Sequence, residues 1–323
     1  MNTMRWYYLN QFTRYEKALE KIKLHTLDKN DVLGHEDTSR RTAVLSSSKL
    51  AGAPHDAFNL GRRIDVLRTT NQTALSSYLA EEDTSTHYLE IPFRNFNLAL
   101  IDNATAEYTF LASFFSPALS FSVISRHFNY IFEPTFTLGQ SLTKQLVTDT
   151  FDSLGLLLCV RLNQHFAFEL QRRRVPSVEN YINGTAMVLW PRLQSVMDAH
   201  CESVKSLAGR PPANKNTVSA APHVVTQRFG QLLHGILALS TEAGDDEPVV
   251  ASLRRLRNEM EGFLTKYSVS GFGAGAGDKR KRERFLYNNY SLILTIIGDV
   301  EGKLAGEQQG HFERLKAAFQ EGA

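Results

Sequence analysis

Metal chemistry asks for histidines, cysteines or carboxylates at ligand spacing, so the ten histidines and two cysteines come first. No two histidines stand four residues apart, the spacing that puts a pair on one helix face, and neither HExxH nor CxxC occurs. His200 and Cys201 are adjacent. Adjacent helical residues point in different directions, so the pair reads as structural or surface. Cys159 and Cys201 read as small buried hydrophobes. Two cysteines cannot build a disulfide framework, which points to a reducing compartment. Ser46 to Lys49 fits the SxxK pattern, but it stands in a serine-rich segment without the companion motifs, and no GxSxG elbow occurs. The run Gly271 to Gly277, GFGAGAG, fails as a phosphate loop because Asp278 follows where Gly-Lys-Ser/Thr is required. No strand precedes it, so the dinucleotide fingerprint fails too. It reads as a linker between helices, and no residue is assigned to catalysis, to a cofactor or to a metal.

Two basic clusters remain as a candidate interaction surface. Lys279, Arg280, Lys281 and Arg282 begin a long helix with Asp278 as its cap. Cations there oppose the helix macrodipole, a placement that hints at an acidic partner or a phosphoinositide-rich surface. The plainer reading is a solvated linker end softened by Glu283, with the helix starting later. Arg172, Arg173 and Arg174 close a different helix, where cations are favourable. Phe110 and Phe114 stand one turn apart, as do Phe128 and Phe132, in a stretch short of lysine and arginine. They read as core packing, since stacking platforms for bases need interleaved cations. No nucleic-acid partner is expected. Asn-x-Ser/Thr triplets at Asn71, Asn103, Asn183 and Asn289 are chance matches in a cytosolic chain.

The elements that must carry these residues are helical. Val249, Leu253, Leu256, Met260, Phe263, Leu264 and Tyr267 recur at steps of three and four behind Pro248. Leu286, Tyr290, Ile293, Ile297, Val300 and Leu304 form a second such run, and Val224 to Leu239 a third. Phe151 to Leu170 is apolar almost all round until Arg161, the mark of a helix buried between others. Ser177 is a plausible N-cap for a helix reaching about Leu207, with a kink at Pro191. The first 27 residues read as an amphipathic helix with Trp6, Leu9, Phe12, Leu19 and Ile22 on one face. Period-two alternation is scarce, and the best strand candidate, His87 to Ile91, stands alone. Gly34 to Pro54, Gly209 to Pro222 and Gly271 to Gly277 read as loops. The reading is an all-α protein of roughly ten helices.

Composition sets the frame. The chain has 323 residues, 42% of them apolar and 22% charged, with a formal net charge of +2. That is ordinary for a folded protein and gives no overall bias toward nucleic acid or an anionic membrane. The longest apolar runs, such as Leu154 to Val160, stop far short of the roughly 20 residues of a spanning helix.

One stretch carries a family likeness. Residues Arg126 to Val204 include IFEPTFTLG, LLLCVRLNQHFAFELQRRRVP and INGTAMVLWPR. They closely resemble the vacuolar protein sorting-associated protein 52 family, a subunit of the Golgi-associated retrograde protein tethering complex. Phe12 to Gly34 and FRNFNLALIDNATAEYTFLASFF from Phe93 resemble the same family, and the part beyond about Leu207 is compatible with it. The resemblance implies an elongated rod of stacked helical bundles with tethering-complex architecture. It implies a non-enzymatic subunit that helps capture endosome-derived vesicles at the trans-Golgi network. Expected partners are other subunits of the complex, SNAREs and a Golgi-class Rab GTPase. The expected location is cytosolic, peripheral to trans-Golgi and endosome membranes. Family proteins are longer, so the chain corresponds to a C-terminal part.

The expected division is 1–90 as an N-terminal helical segment with a loop near 35–54, 91–208 as a central bundle and 219–323 as a C-terminal bundle. The alternatives are a module binding anionic lipid through Lys279 to Arg282, and an all-α enzyme with a site of converging carboxylates or histidines in a bundle core.

Overall fold

The computed structural model describes residues 1–35, 57–68, 73–210, 218–240 and 247–320. Ser46 to Lys49, Asn71 and most of the expected 35–54 loop lie outside these residues, as do residues 211–217 of the proline-containing segment. The chain is all-α, as the periodicity requires. It divides into two compact units, one of Met1–Thr26 with Arg63–Leu193 and one of Leu27–Arg62 with Gln194–Ala323.

The first unit holds α1 (Asn2–Leu19), α2 (Ser77–Glu82), α3 (Glu90–Phe115), α4 (Phe121–Val147), α5 (Ser153–Arg172) and the start of α6 (Glu179–Ala208). Its core is a column of aromatic rings on α4. Phe128 and Phe132 stack at 4.8 Å, Tyr8 of α1 lies 4.5 Å from Phe132, and Tyr108 of α3 meets Phe128 edge-on at 5.5 Å. Full burial of such a side chain contributes about 1.5–3 kcal/mol. Helix α5 is buried without a break from Ser153 to Asn163, as its all-round apolar sequence predicts.

Several local expectations change. Phe110 and Phe114, expected in the core, are exposed near the end of α3. Helix α1 stops at Leu19, and its buried stripe is Tyr8, Phe12, Ala18 and Leu19, which leaves Trp6 in solvent. The chain then turns so that β1 (Lys23–Leu24) pairs in parallel with β2 (Thr86–His87). The strand expected to reach Ile91 ends at His87, and α3 begins at Glu90. Pro92 fits the first turn of α3, where its missing N–H costs nothing. Ser177 does not cap α6. It lies in a 3-10 turn, Pro176–Val178, with its Oγ buried and unbonded among the described residues. Helix α6 runs on through Pro191.

The second unit holds the rest of α6, then α7 (Val224–Ser240), α8 (Glu247–Phe272), α9 (Lys279–Ile297) and α10 (Lys303–Ala318). Phe229, Phe263, Phe285 and Phe312 fill its centre. The run from Leu286 to Leu304 is two helices. The first ends at Ile297, and the second begins after Gly302, whose φ of 118° suits only glycine. Asn289 of α9 is fully buried and joins α9 to the start of α7. Its Oδ1 accepts from the backbone N–H of His223 (2.9 Å) and the hydroxyl of Thr226 (2.6 Å), and its Nδ2 donates to Phe285 (2.7 Å).

Within this unit Gly34 lies hard against α6, its N–H donating to Ser203 Oγ at 3.0 Å. A Cβ there would stand 2.2 Å from the carbonyl oxygen of Ser203. That neighbour is backbone and cannot swing aside, so Gly34→Ala should destabilise the protein by about 1–3 kcal/mol. Urea unfolding of the variant measures this, and an unchanged midpoint would contradict the close approach.

Candidate functional site

Among the described residues, Arg63, Glu90 and Asp152 converge in the interior of the first unit. Arg63 lies in a 3-10 helix, Gly61–Leu67. Its Nε and Nη2 each donate to Glu90 at 2.8 Å, while Nη1 and Nη2 donate to Asp152 at 3.2 and 2.6 Å. The guanidinium also sits 3.7 Å over the ring of Tyr88. Both carboxylates occupy helix N-termini. Glu90 is the first residue of α3, and Asp152 caps α5 by accepting from the N–H of Gly155 at 2.8 Å. Two carboxylates facing one cation leave an excess negative charge, which the positive ends of the two helices offset. Gly155 permits the approach, since a Cβ there would meet Asp152 Oδ2 at 2.5 Å.

Burial opposes the charge of Arg63, but the two carboxylates outweigh it and hold the guanidinium pKa above its ordinary value. Burial pushes the pKa of Glu90 up, against the pull of Arg63. A general acid or base must reach a proton on its substrate. Here each of the four carboxylate oxygens already has a donor, and the side chains of Glu90 and Asp152 are 2% and 1% exposed. The group is a clasp joining two helix starts to the 3-10 turn. It is the kind of convergence an enzyme reading looks for, arranged so that no oxygen is offered outward.

Asp83, Ser85 and His87 form a second cluster of types that recur in hydrolases. The arrangement is wrong for a relay. Ser85 Oγ (2.8 Å) and Asp83 Oδ2 (2.7 Å) both meet the same ring nitrogen, Nε2 of His87. A triad needs the serine on one nitrogen and the carboxylate on the other. Hydrogen bonds from Ser85 and His87 lower the pKa of Asp83 to about 2. The cluster closes the turn that leads into β2.

The remaining histidines and cysteines with shifted pKa are interior. His200 is fully buried beside Phe58, and desolvation lowers its pKa to about 4. His223 precedes α7 and caps it, its Nδ1 accepting from the N–H of Val225 at 3.2 Å; burial, then the charge of Arg228, lowers its pKa to about 4. Burial raises the thiol pKa of Cys159 well above its usual value and that of Cys201 to about 11, so neither is a ready thiolate. Among the described residues no group of three or more His, Cys, Asp or Glu could hold a metal ion, and no helix is long and apolar enough to cross a membrane.

The two basic clusters fall in different units. Arg172 and Arg173 both bind Glu169 (2.8 and 3.1 Å), and Arg173 reaches Asp102 at 2.7 Å. Arg174 ends α5 in the left-handed region, with φ 59°. The N–H of Arg174 bonds Gln171 O and that of Val175 bonds Leu170 O, the Schellman pair, with Leu170 and Val175 both buried. Glycine suits that position better. Arg174→Gly should add about 0.5–1 kcal/mol, read as a melting midpoint higher by roughly 1–4 °C. A lower midpoint would give the Arg174 side chain a role beyond the turn.

Helix α9 begins at Lys279, so the basic run lies in its first turn. Asp278 precedes the helix without a side-chain capping bond. Lys281 is 3.8 Å from Asp278 and Lys279 is 3.6 Å from Glu283, while Arg282 donates to the carbonyls of Gly273 and Gly275 and ties down the glycine loop. Lys279, Arg280 and Lys281 are exposed.

The fold and its charged groups define an all-helical protein whose convergent buried charges join helices. A family model described as Vps52, C-terminal matches residues 2–322. The chain belongs to that family, whose members are named for vacuolar protein sorting. It is 32% identical to vacuolar protein sorting-associated protein 52 of Schizosaccharomyces pombe over 320 residues, covering 98% of this chain and 59% of the relative. It is 30% identical to the Saccharomyces cerevisiae protein over 333 residues, covering 91% and 51%. The Homo sapiens homolog is 24% identical over 324 residues, covering 99% and 43%. The chain thus spans about half the length of these relatives. No solved structure matches it.

Proposed function

We propose that the chain is part of a non-enzymatic subunit of the Golgi-associated retrograde protein tethering complex. It acts in transport from endosomes to the trans-Golgi network, at the cytosolic face of those membranes. Its helices offer surfaces to other subunits, to SNAREs and to a Golgi-class Rab GTPase. The observation that carries this reading is the family match across residues 2–322. The clasp geometry supports it, because the convergent carboxylates are used up in holding helices. Specificity at such surfaces comes from a few aromatic or arginine anchors. The test is affinity capture of the tagged chain from cells. Recovery of identified subunits of the complex, a SNARE or a Golgi-class Rab is the expected result, and recovery of none of them sinks the reading.

A second reading rests on one observation, the exposed cations Lys279, Arg280 and Lys281 in the first turn of α9, where the macrodipole disfavours them. An anionic membrane surface would offset that cost. Charge reversal of the three should then abolish binding to phosphatidylserine vesicles, and unchanged binding removes the run from consideration.

A further inference from the structure

Large apolar side chains crowd one end of the first unit. Phe110 and Phe114 on α3 and Phe121 on α4 are 56, 66 and 65% exposed. Phe110 and Phe114 stack on each other at 5.7 Å, and Phe115 meets Phe114 edge-on at 4.9 Å. The start of α1 lies at this same end. Tyr8 of α1 bonds Glu107 of α3 at 2.9 Å, and Asn2 accepts from the hydroxyl of Tyr130 on α4 at 2.6 Å. It adds the exposed Trp6 and Tyr7, with Tyr130 exposed beside them. At about 200 Å² per aromatic side chain, the exposed parts of these six rings amount to roughly 700 Å². That total is of the same order as the ~300–600 Å² of the largest apolar patch on an ordinary monomer, a size that is often functional.

Charge and hydrogen bonding say what such an end suits. From Tyr108 to Ser125 there is no charged residue. Much of the backbone in the turn between α3 and α4 is bonded internally, although Ser120 gives α4 no side-chain cap. The N–H groups of Ala118 and Leu119 bond Phe115 O, those of Val123 and Ile124 bond Ser120 O, and Ser113 Oγ donates to Thr109 O. An apolar medium favours such a charge-free stretch, because it offers no partner to a charge. The aromatic types are also graded. Phe114 and Phe121 occupy the tip, and Phe110 lies one turn below Phe114. Trp6, Tyr7 and Tyr130, each with a polar handle, belong near Tyr108 and Phe128, the level where α1 meets α3 and α4. From Phe114 back to Tyr108 is six helical residues, about 9 Å. Amphipathic elements sink ~5–10 Å into the headgroup and acyl boundary, with Trp and Tyr at the interface. The exposed Arg126, directly after the uncharged stretch, lies between the tip and the level of Tyr130, and its long side chain can extend to a lipid phosphate.

We infer that this end of the first unit, tipped by Phe110, Phe114 and Phe121 and ringed by Trp6, Tyr7 and Tyr130, dips into the interface of a lipid bilayer. The contact is driven by apolar insertion and does not require anionic lipid.

Vesicle flotation of the intact chain tests it, with neutral phosphatidylcholine vesicles in one arm and vesicles with added phosphatidylserine in the other. The native protein should float with both, and Phe114→Asp with Phe121→Asp should weaken binding by roughly tenfold or more. The triple change of Phe110, Phe114 and Phe121 to serine does the same with a smaller disturbance, and it decides the matter if the aspartate variant unfolds by circular dichroism. The inference is overturned if the native chain stays off neutral vesicles, or if the phenylalanine changes leave binding intact. It is also overturned if binding needs phosphatidylserine and vanishes on charge reversal of Lys279, Arg280 and Lys281. Sedimentation velocity covers the remaining occupant. Self-association abolished by the same changes, without vesicle binding, would assign the patch to a second copy of the chain.

Discussion

Arg63→Met should cost about 3–5 kcal/mol of folding stability, the range measured when one partner of a buried ion pair is removed. Methionine fills much of the space and loses every donor. Glu90 and Asp152 would then lie buried with no cation between them, and Asp152 would keep the Gly155 N–H while Glu90 kept little. Equilibrium unfolding in urea is the measurement, and a loss below about 1 kcal/mol would mean that water reaches the cluster. The cause can be separated from lost packing. Adding Glu90→Gln and Asp152→Asn removes both stranded charges, and asparagine still caps α5. The triple variant should therefore regain part of the loss, since the penalty lies in the unpaired carboxylates.

The same variant has a pH signature. Burial already raises the pKa of Glu90, and removing Arg63 takes away the force that lowers it. A carboxyl whose folded pKa exceeds its unfolded value gains stability as pH falls through the folded value. The deficit of Arg63→Met should accordingly shrink from pH 7 toward the unfolded carboxylate range near about 4. A deficit that stayed constant over that window would point to packing alone.

How much of this the sequence discloses varies from residue to residue. The periodic runs behind α5, α7 and α8 are read directly, because a buried helix face repeats at three and four positions whatever lies opposite. Trp6 and Phe110 mislead for the complementary reason. Apolar type marks a residue able to be buried, while burial depends on whether another helix reaches it, and beyond Tyr108 only Leu111 of α3 is buried. The break between α9 and α10 is signalled by Gly298 and Gly302, yet the apolar spacing carries across both. Arg63 gives no signal. It stands in a short segment without pattern, 27 residues before Glu90 and 89 before Asp152, and only the tertiary fold brings the three together. Asp152 is the part that could be found, as an Asp directly ahead of an apolar run. The pairing of Leu27–Arg62 with Gln194–Ala323 in one unit is likewise beyond periodicity. Its local trace is Gly34, a glycine where α6 backbone passes close. The basic run is legible as a cluster, and its partial neutralisation by Asp278, Glu283 and two loop carbonyls is not.

Acidification from pH 7 to 4 should destabilise the second unit through His200 and His223. Each has its pKa lowered from 6.5 to about 4, chiefly by burial. Above pH 6.5 both are neutral in the folded and unfolded chain, and their full contribution is present. Below it the unfolded chain binds protons that the folded chain refuses, so stability falls until the folded values near 4 are reached. A shift of this size corresponds to about 3 kcal/mol for each histidine, less for His223, which is less completely buried. The local chemistry agrees in sign. Neutral His200 accepts at Nδ1 from the N–H of Leu33, and neutral His223 accepts at Nδ1 from Val225 at the positive end of α7. A proton on either nitrogen ends the bond and, at His223, sets a cation against the helix dipole. His223→Asn keeps a capping acceptor without titrating, and His200→Gln removes the other titration. Urea midpoints between pH 7 and 4 should fall less steeply in each variant and least in the double variant. The window also distinguishes the cause, because carboxylates with lowered pKa, such as Asp83 at about 2, act only at lower pH. An acid loss of equal slope in the double variant would transfer the effect away from both histidines.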